Sequence, residues 1–95
     1  MNTDPVPVAV FRLGRIVATP NALQSIPNED IVKAIQRHQA GYWGNLDSED
    51  RNSNDQALAR CGRLFSVYNA PDGTKFWIIT EADRSVTTVL LPADY

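Results

Sequence analysis

The chain has 95 residues, of which 43% are hydrophobic and 21% are charged. This composition predicts one small globular unit and argues against a disordered or membrane-embedded chain. Nine Lys and Arg residues against eleven Asp and Glu residues give a net charge of -2, unlike the strongly basic balance of many nucleic-acid-binding domains. One Cys and one His exclude an intrachain disulfide framework and disfavour a structural zinc site.

The first residues, 1–7, carry Pro5 and Pro7 and are expected to form a loose arm before a single α+β domain over residues 8–95. They lack the basic and apolar regions of a secretory signal. No apolar run approaches the ~18 residues that a membrane span needs. We therefore expect a cytoplasmic protein that has no membrane contact, no metal and no cofactor.

The first predicted element is a strand. It rests on four apolar residues, Val8, Val10, Phe11 and Leu13. Gly14 marks a bend or bulge. Residues 16–19 either continue this strand or return as its partner, and Pro20 ends the segment.

Two helices are predicted next. The first begins near Asn28, ends near Gly41 and has an inward stripe at helical spacing, formed by Ile31, Ala34, Ile35 and His38. The second begins after Asp47, a predicted N-cap, and ends near Gly62. Its first half is polar almost throughout, so we expect only its second half to cover the core.

Three β-prone runs follow, at residues 64–68, 75–80 and 86–91. The middle run should be central and the last one should lie at an edge. The order is therefore β-(β)-α-α-β-β-β, an α+β fold with two helices packed on one face of an antiparallel sheet. Trp77, inside the middle run, is expected in the core.

The only histidine and the only cysteine are the first candidates for chemistry. His38 could be a general base, but no partner can be assigned to it, and a structural role at the end of the inward stripe is favoured. Cys61 lies near a predicted helix C-terminus, where the helix dipole opposes a thiolate. We interpret Cys61 as structural.

Tyr42 and Trp43 stand between two glycines. This pair is either a plug that closes the core or an exposed anchor for a partner, and the sequence favours neither. Asp47, Glu49 and Asp50 form an acidic run, which is typical of a solvated helix face. The alternative is an acidic docking surface for a basic partner.

Three segments stand out together: residues 13–20 (LGRIVATP), 38–44 ending in Trp43-Gly44, and 76–85 (FWIITEADRS) followed by Leu90-Leu91-Pro92 and Tyr95. They resemble a group of small bacterial proteins that are encoded on plasmids, integrating elements and gene cassettes. The resemblance covers roughly residues 11–95. It implies a genetic setting, with no established activity and no catalytic residues to carry over. Members often have an acidic residue where this chain has Tyr42.

A weaker resemblance concerns architecture alone. One strand, two helices and three antiparallel strands resemble the layout of RelE/ParE toxins, some of which cut messenger RNA with basic and aromatic residues on the sheet. The counterparts by position would be Arg63, Tyr68, Arg84 and Tyr95. The net charge of -2 departs from the basic character that such ribonucleases need to hold RNA.

Three functions follow as hypotheses. The first is a non-enzymatic module of a mobile element that binds a host or element-encoded protein, in an anti-defence or regulatory role, through Tyr42, Trp43 and the acidic run. A homodimer that pairs the edge strand near residues 86–91 is a version of it. The second is a toxin-like ribonuclease or an inactive relative. Only this second hypothesis has nucleic acid as the partner, and the net charge disfavours such a partner. A small-ligand binder ranks last, because a short chain rarely leaves room for the ~300 Å³ pocket it needs.

Overall fold

The computed structural model describes residues 9–95, so the predicted arm and Val8 lie outside the described residues. In those residues the fold is α+β. Its elements, in chain order, are β1 (Arg15–Ala18), α1 (Pro20–Ser25), α2 (Asn28–Gln39), α3 (Ser48–Arg60), β2 (Leu64–Asn69), β3 (Lys75–Thr80), β4 (Val86–Leu90) and a 3₁₀ turn (Pro92–Asp94). No helix in this part of the chain has the length and apolarity needed to cross a membrane.

The four strands form one sheet in the order β1-β4-β3-β2. β2, β3 and β4 are antiparallel neighbours, as predicted, whereas β1 runs parallel to β4. The sheet is therefore mixed, and the expectation of a purely antiparallel sheet was wrong. β3 is internal, as predicted, but β4 is internal too, so the predicted edge strand near residues 86–91 was also wrong. The pairing of β1 covers that side of β4.

Residues 9–14, the described part of the segment before β1, contain no strand, so the strand predicted around Val10, Phe11 and Leu13 was wrong. The backbone of this segment is instead held by α2, because Val10 N donates to the Gln39 carbonyl (2.8 Å) and Gln39 Nε2 donates to the Phe11 carbonyl (3.0 Å). Gly14 has φ +65°, and a Cβ there would overlap the backbone of Ser85. The segment before β1 therefore lies directly against the β3–β4 turn at Gly14, and β1 begins at the next residue, Arg15.

Helix α1 was not predicted. Thr19 caps it by accepting a hydrogen bond from Ala22 N (3.1 Å), and Pro20 occupies the first turn. Proline suits this position because an N–H group in the first turn has no acceptor within the helix, so its absence in proline costs no hydrogen bond. The same Pro20 that we interpreted as a terminator of the preceding strand thus begins a helix.

Helices α2 and α3 follow the predictions closely. In α2, Ile31, Ala34 and His38 are buried, and Ile35 is partly buried. In α3, Asp47 is the N-cap and accepts from Asp50 N (2.8 Å).

The main core lies between the sheet and the first two helices. Ala22 and Ile26 of α1 and Ile31 and Ala34 of α2 pack there with side chains of one sheet face, which we call the inner face. The inner face presents Tyr68, Phe76, Ile78 and Val89 to this core. Because side chains alternate along a strand, the neighbouring residues project to the other side, the outer face.

A second cluster surrounds β2, the last strand of the sheet. Trp43, Leu46, Leu64 and Val67 are buried in it. Asn54 of α3 uses both ends of its amide on β2, since Nδ2 donates to the Phe65 carbonyl (2.5 Å) and Oδ1 accepts from Phe65 N (3.1 Å). The outer edge of β2 is therefore occupied.

Candidate functional site

The outer face of the sheet carries a row of large apolar side chains. Register places Phe65 opposite Ile79, Val67 opposite Trp77, and Trp77 opposite Leu90. Phe65 and Trp77 are only partly buried, whereas inner-face residues such as Ile78 are completely buried. The expectation that Trp77 lies in the core was wrong: strand alternation turns its ring to the outer face, where it is only partly buried and packs against the second cluster from outside.

Three aromatic rings meet on the outer face. The Phe65 and Trp77 rings lie edge to face with centroids 5.1 Å apart, and Trp77 contacts Tyr95 in the same way at 5.7 Å. Tyr95 is 70% exposed. With Arg63 and Ile79 these rings line a cavity of about 290 Å³, which we call the Arg63 pocket.

Arg63 supplies the charge of this pocket. Its Nη1 donates to the Tyr95 hydroxyl (2.9 Å), and its guanidinium carbon lies 5.6 Å from the centre of the Tyr95 ring. Its Nε also lies 3.7 Å from a Glu81 carboxylate oxygen, in an ion pair whose side chains are both close to half exposed. Such exposed pairs contribute little and exchange readily with other partners.

Tyr95 is held in place by its neighbour Asp94. The Asp94 carboxylate accepts hydrogen bonds from Thr19 Oγ1 (2.6 Å), Asn21 Nδ2 (2.7 Å) and Leu91 N (3.0 Å). These bonds hold the pKa of Asp94 below its usual value. They tie the 3₁₀ turn to the start of α1, and the next residue then lies against Trp77.

A second cavity, of about 440 Å³, lies on the other side of the Phe65–Trp77 pair. We call it the Asp50 groove. Besides those two rings its walls include Leu46, Asp47, Asp50, Val67 and Lys75. Asp47 is engaged in capping α3, so Asp50 contributes the carboxylate that remains available to a ligand. Glu49 is exposed in the same helical turn but does not line the groove.

The structure separates Tyr42 from Trp43. Trp43 is buried (4% exposed) and donates from Nε1 to Asp55 (3.2 Å), so it is the plug of the second cluster. Tyr42 is 63% exposed and lines a different, open cavity of about 500 Å³ near Arg37 and Arg51. The two alternatives left open by the sequence each describe one member of the pair.

Gly44 explains this separation. Its φ is +75°, and a Cβ there would overlap the Val67 carbonyl oxygen. The close approach lets Val67 N donate to the Trp43 carbonyl (3.2 Å) and Asn45 N donate to the Val67 carbonyl (2.8 Å). The loop thus runs alongside β2, with Trp43 facing in and Tyr42 facing out.

The four residues suggested by the toxin-like layout do not share one face. Arg63 and Tyr95 are neighbours on the outer face. Tyr68 instead lies on the inner face, 6% exposed, and its hydroxyl donates to the Tyr42 carbonyl (2.5 Å). Burial raises the pKa of Tyr68 to about 12.

Arg84 is occupied by backbone carbonyls. Its guanidinium donates to the Gly62 carbonyl (2.6 Å) and to that of Ala57 (3.3 Å). It also lies 5.6 Å from the centre of the Phe11 ring. Arg84 therefore joins the β3–β4 turn to the end of α3, and the expected cluster is reduced to Arg63 and Tyr95.

His38 lies in a buried polar chain under the inner face. Its Nε2 is 2.8 Å from Thr80 Oγ1, which is 2.7 Å from Thr87 Oγ1, and its Nδ1 is 2.5 Å from Ser66 Oγ. Thr87 Oγ1 in turn donates to the Leu13 carbonyl (2.7 Å), which can only accept.

The Leu13 carbonyl, at the end of this series of hydrogen bonds, fixes the position of every proton in the series. Thr87 gives its proton to a carbonyl, so Thr80 must donate to Thr87, and Thr80 Oγ1 then accepts from Nε2–H of His38. Nδ1 is left as an acceptor for the Ser66 hydroxyl. Burial and the charge of Arg84 lower the pKa of His38 to about 3, so the ring is neutral. With both nitrogens engaged and no exposed surface, His38 has the structural role that was favoured from the sequence.

Sequence reasoning missed Phe65 and Asp94. Phe65 could have been found, because Phe65 and Val67 in one run and Trp77 and Ile79 in the next are apolar at alternate positions, which indicates a second apolar face of the sheet. Asp94 gave no such signal, because its hydrogen-bond partners Thr19 and Asn21 lie more than 70 residues away in sequence.

Within residues 9–95 no group of three or more His, Cys, Asp or Glu side chains converges as metal ligands would. Cys61 is exposed and is the C-cap of α3, with φ 57°. Comparisons of the chain with protein-family models, with curated proteins and with solved structures gave no match.

Proposed function

We propose that this protein is a non-enzymatic interaction module that binds another protein through the outer face of its sheet. The observation that carries the proposal is the contact of Phe65, Trp77 and Tyr95 around the Arg63 pocket, with Tyr95 70% exposed. Aromatic and arginine side chains beside a pocket are typical of the residues that dominate protein–protein binding energies.

The chemistry of the Arg63 pocket suits binding better than catalysis. Its lining consists of apolar side chains, one phenol and one guanidinium. Such a set can bury an apolar group and hold an anion, but it offers no activated nucleophile and no base near neutral pH. His38, the natural candidate for a base, is buried beneath the opposite face.

A protein partner is favoured over RNA for two reasons. The interplanar angles of 82° between Phe65 and Trp77 and 66° between Trp77 and Tyr95 do not make a flat platform for stacked bases. Asp47 and Asp50 also border the face and would repel phosphates. The toxin-like alternative retains only Arg63 and Tyr95 of its four residues, so it is not the function we propose.

The setting of the proposal comes from the sequence resemblance. A cytoplasmic partner encoded by a mobile element or by its host is the first to be tested, and an anti-defence or regulatory role would follow from the identity of that partner. The earlier candidate surface, with Tyr42 as its exposed aromatic residue, lies elsewhere and supplies a matched comparison.

The test is affinity capture from a lysate of the native host with three proteins: wild type, Tyr95→Ala and Tyr42→Ala. Both variants remove one exposed tyrosine, and circular dichroism confirms that each is folded. A protein that is identified by mass spectrometry, lost with Tyr95→Ala and retained with Tyr42→Ala supports the outer face. Loss with Tyr42→Ala alone, or capture of RNA with no protein, would overturn the proposal.

A further inference from the structure

The outer face is electrically polarised along its strands. The Phe65–Trp77 pair lies between two cavities and lines both of them. On one side is the Arg63 guanidinium, and on the other are the carboxylates of Asp47 and Asp50. An apolar centre between opposite charges selects a ligand with the reverse order of charges.

The positive end has capacity for an additional acceptor. Arg63 uses Nη1 on the Tyr95 hydroxyl and Nε near Glu81, and Nη2 makes no hydrogen bond to any residue in 9–95. A carboxylate could bind this free nitrogen and compete with Glu81, whose 3.7 Å ion pair is largely open to solvent.

The negative end is net acidic. Asp47 and Asp50 outnumber the single cation in the groove, Lys75. The Asp50 side chain is exposed and makes no hydrogen bond to the described residues. The bond between Asp50 and Asp47 uses the backbone N–H of Asp50 and leaves its carboxylate free. A cationic side chain can therefore approach Asp50 without displacing a contact of the fold.

From this arrangement we infer that the outer face binds an extended peptide segment of its protein partner with three recognition elements in order. An acidic side chain binds Arg63, an apolar or aromatic side chain packs on the Phe65–Trp77 pair, and a basic side chain lies at Asp50. A β-strand rises by about 3.3 Å per residue, so Arg63 and Val67, which lines the Asp50 groove, are about 13 Å apart. About five residues of an extended peptide therefore span the two cavities. The inference rests on the proposed function and specifies the chemistry of the partner.

The alternatives for this face give different patterns. RNA would bring negative charge to both ends and would be repelled at Asp50. A second copy of the chain would bury the face in a concentration-dependent dimer. A two-fold arrangement could also set the Asp50 of that copy against Arg63, so charge alone does not exclude it. The peptide is favoured because the face is recessed into two cavities, which the side chains of an extended segment can fill, whereas a second copy would set its own cavities against them.

The first test selects displayed random twelve-residue peptides on the wild-type protein. Peptides that bind equally well to Trp77→Ala are discarded. The expected result is a common pattern with an acidic residue, an apolar residue and a basic residue within about five positions. Binding of a synthetic peptide with this pattern, measured by fluorescence anisotropy, should weaken at least about tenfold in Trp77→Ala.

The second test addresses the charges. Arg63→Glu and Asp50→Lys should each weaken binding by about three- to tenfold. Their matched controls, Arg60→Glu and Glu29→Lys, reverse exposed helix charges that line neither cavity and should leave binding unchanged. The double variant Arg63→Glu/Asp50→Lys should prefer the peptide with its acidic and basic residues exchanged, which also shows that this variant is folded.

Three outcomes would overturn the inference. They are enriched peptides with no charge order, equal effects of the charge variants and their controls, or a wild-type protein that dimerises through this face and selects no peptide. The first two would leave the proposed function in place if host-protein capture still depends on Tyr95. Loss of that dependence would instead remove the proposed function.

Discussion

Acid should weaken this fold through His38, because the folded chain keeps the imidazole neutral and the unfolded chain does not. Burial and the charge of Arg84 lower the pKa of His38 from 6.5 to about 3. Between these pH values the unfolded state binds a proton that the folded state does not, so the free energy of unfolding falls as the pH falls. The contribution of His38 is fully present above pH 6.5 and is lost progressively toward pH 3.

The size of the effect follows from the shift. One pKa unit corresponds to about 1.4 kcal/mol, and pH 4.5 is about two units below the unfolded pKa of histidine. His38 alone should therefore lower the free energy of unfolding by about 2.7 kcal/mol between pH 7 and pH 4.5. Asp94 also contributes as the pH falls, because its lowered pKa lets the unfolded state take up a proton before the folded state does, so this part must be subtracted.

Comparison with the variant His38→Gln separates the two contributions, because the variant lacks the titrating ring but keeps every carboxylate. Urea melts of both proteins from pH 7.5 to pH 4.5 should show wild type losing about 2 to 3 kcal/mol more than the variant. At pH 7 the variant should be the less stable of the two, because buried hydroxyl groups lose partners. Parallel pH profiles would refute the assignment of a neutral, buried His38.

Nuclear magnetic resonance gives a second measurement that does not depend on the variant. The chain has one histidine, so its ring signals are unambiguous. They should not titrate between pH 8 and pH 5, and the nitrogen shifts should report a proton on Nε2 and none on Nδ1. A titration midpoint near 6.5 in the folded protein, or the other tautomer, would contradict the hydrogen-bond chain derived above.

Three further predictions concern stability and are measured by urea melts at pH 7. Gly44→Ala should lower the free energy of unfolding by at least about 3 kcal/mol, because it combines positive φ with overlap of a backbone carbonyl. Gly73→Ala, with φ +90° but open space around it, should lower it by about 1 to 2 kcal/mol. Asn54→Ala should cost about 2 to 3 kcal/mol because two backbone groups of β2 lose their partner, and exposed Asn52→Ala should stay within about 0.5 kcal/mol. Trp77→Ala should cost about 1 to 3 kcal/mol, below the ~3–5 kcal/mol of a fully buried aromatic ring.

Each of these has an outcome that would count against the structure. Equal costs for the two glycine variants would mean that the loop before α3 does not approach β2 as closely as described. An Asn54→Ala variant as stable as Asn52→Ala would place α3 away from the edge strand. A loss above about 4 kcal/mol for Trp77→Ala would return that ring to a closed core and leave no open outer face.

Local signals were sufficient for about half of the fold. The stripe Ile31, Ala34 and His38 predicted α2 because helical period and burial act within a few residues. The β-prone runs at residues 64–68 and 75–80 predicted β2 and β3 for the same reason, and Asp47 was correctly expected to cap α3. Helix α1 was missed because its six residues are too few for a periodic signal.

Of the candidate site residues, the sequence grouped Arg63 with Tyr95 in the toxin-like set, but it indicated Trp77 and Asp50 separately and could not bring the four together. It assigned Trp77 to the core and associated Arg63 with Tyr68, which lies under the other face. Phe65 was placed in a predicted strand but was not proposed as a site residue. These assignments depend on which side of a strand faces the helices, and a shift of one residue in register would exchange the two sides.

The sequence by itself determined the α+β class, two of the helices, the three C-terminal strands and the position of the only histidine on the inward stripe of α2, because each depends on neighbours along the chain. Only the tertiary structure decided that β1 runs parallel to β4, that Trp43 is buried while Tyr42 is exposed, and that Phe65, Trp77 and Tyr95 meet beside Arg63. The physical reason is that these contacts join residues far apart in sequence. Their free energies depend on strand register and on which surfaces the helices cover, and no local pattern encodes either.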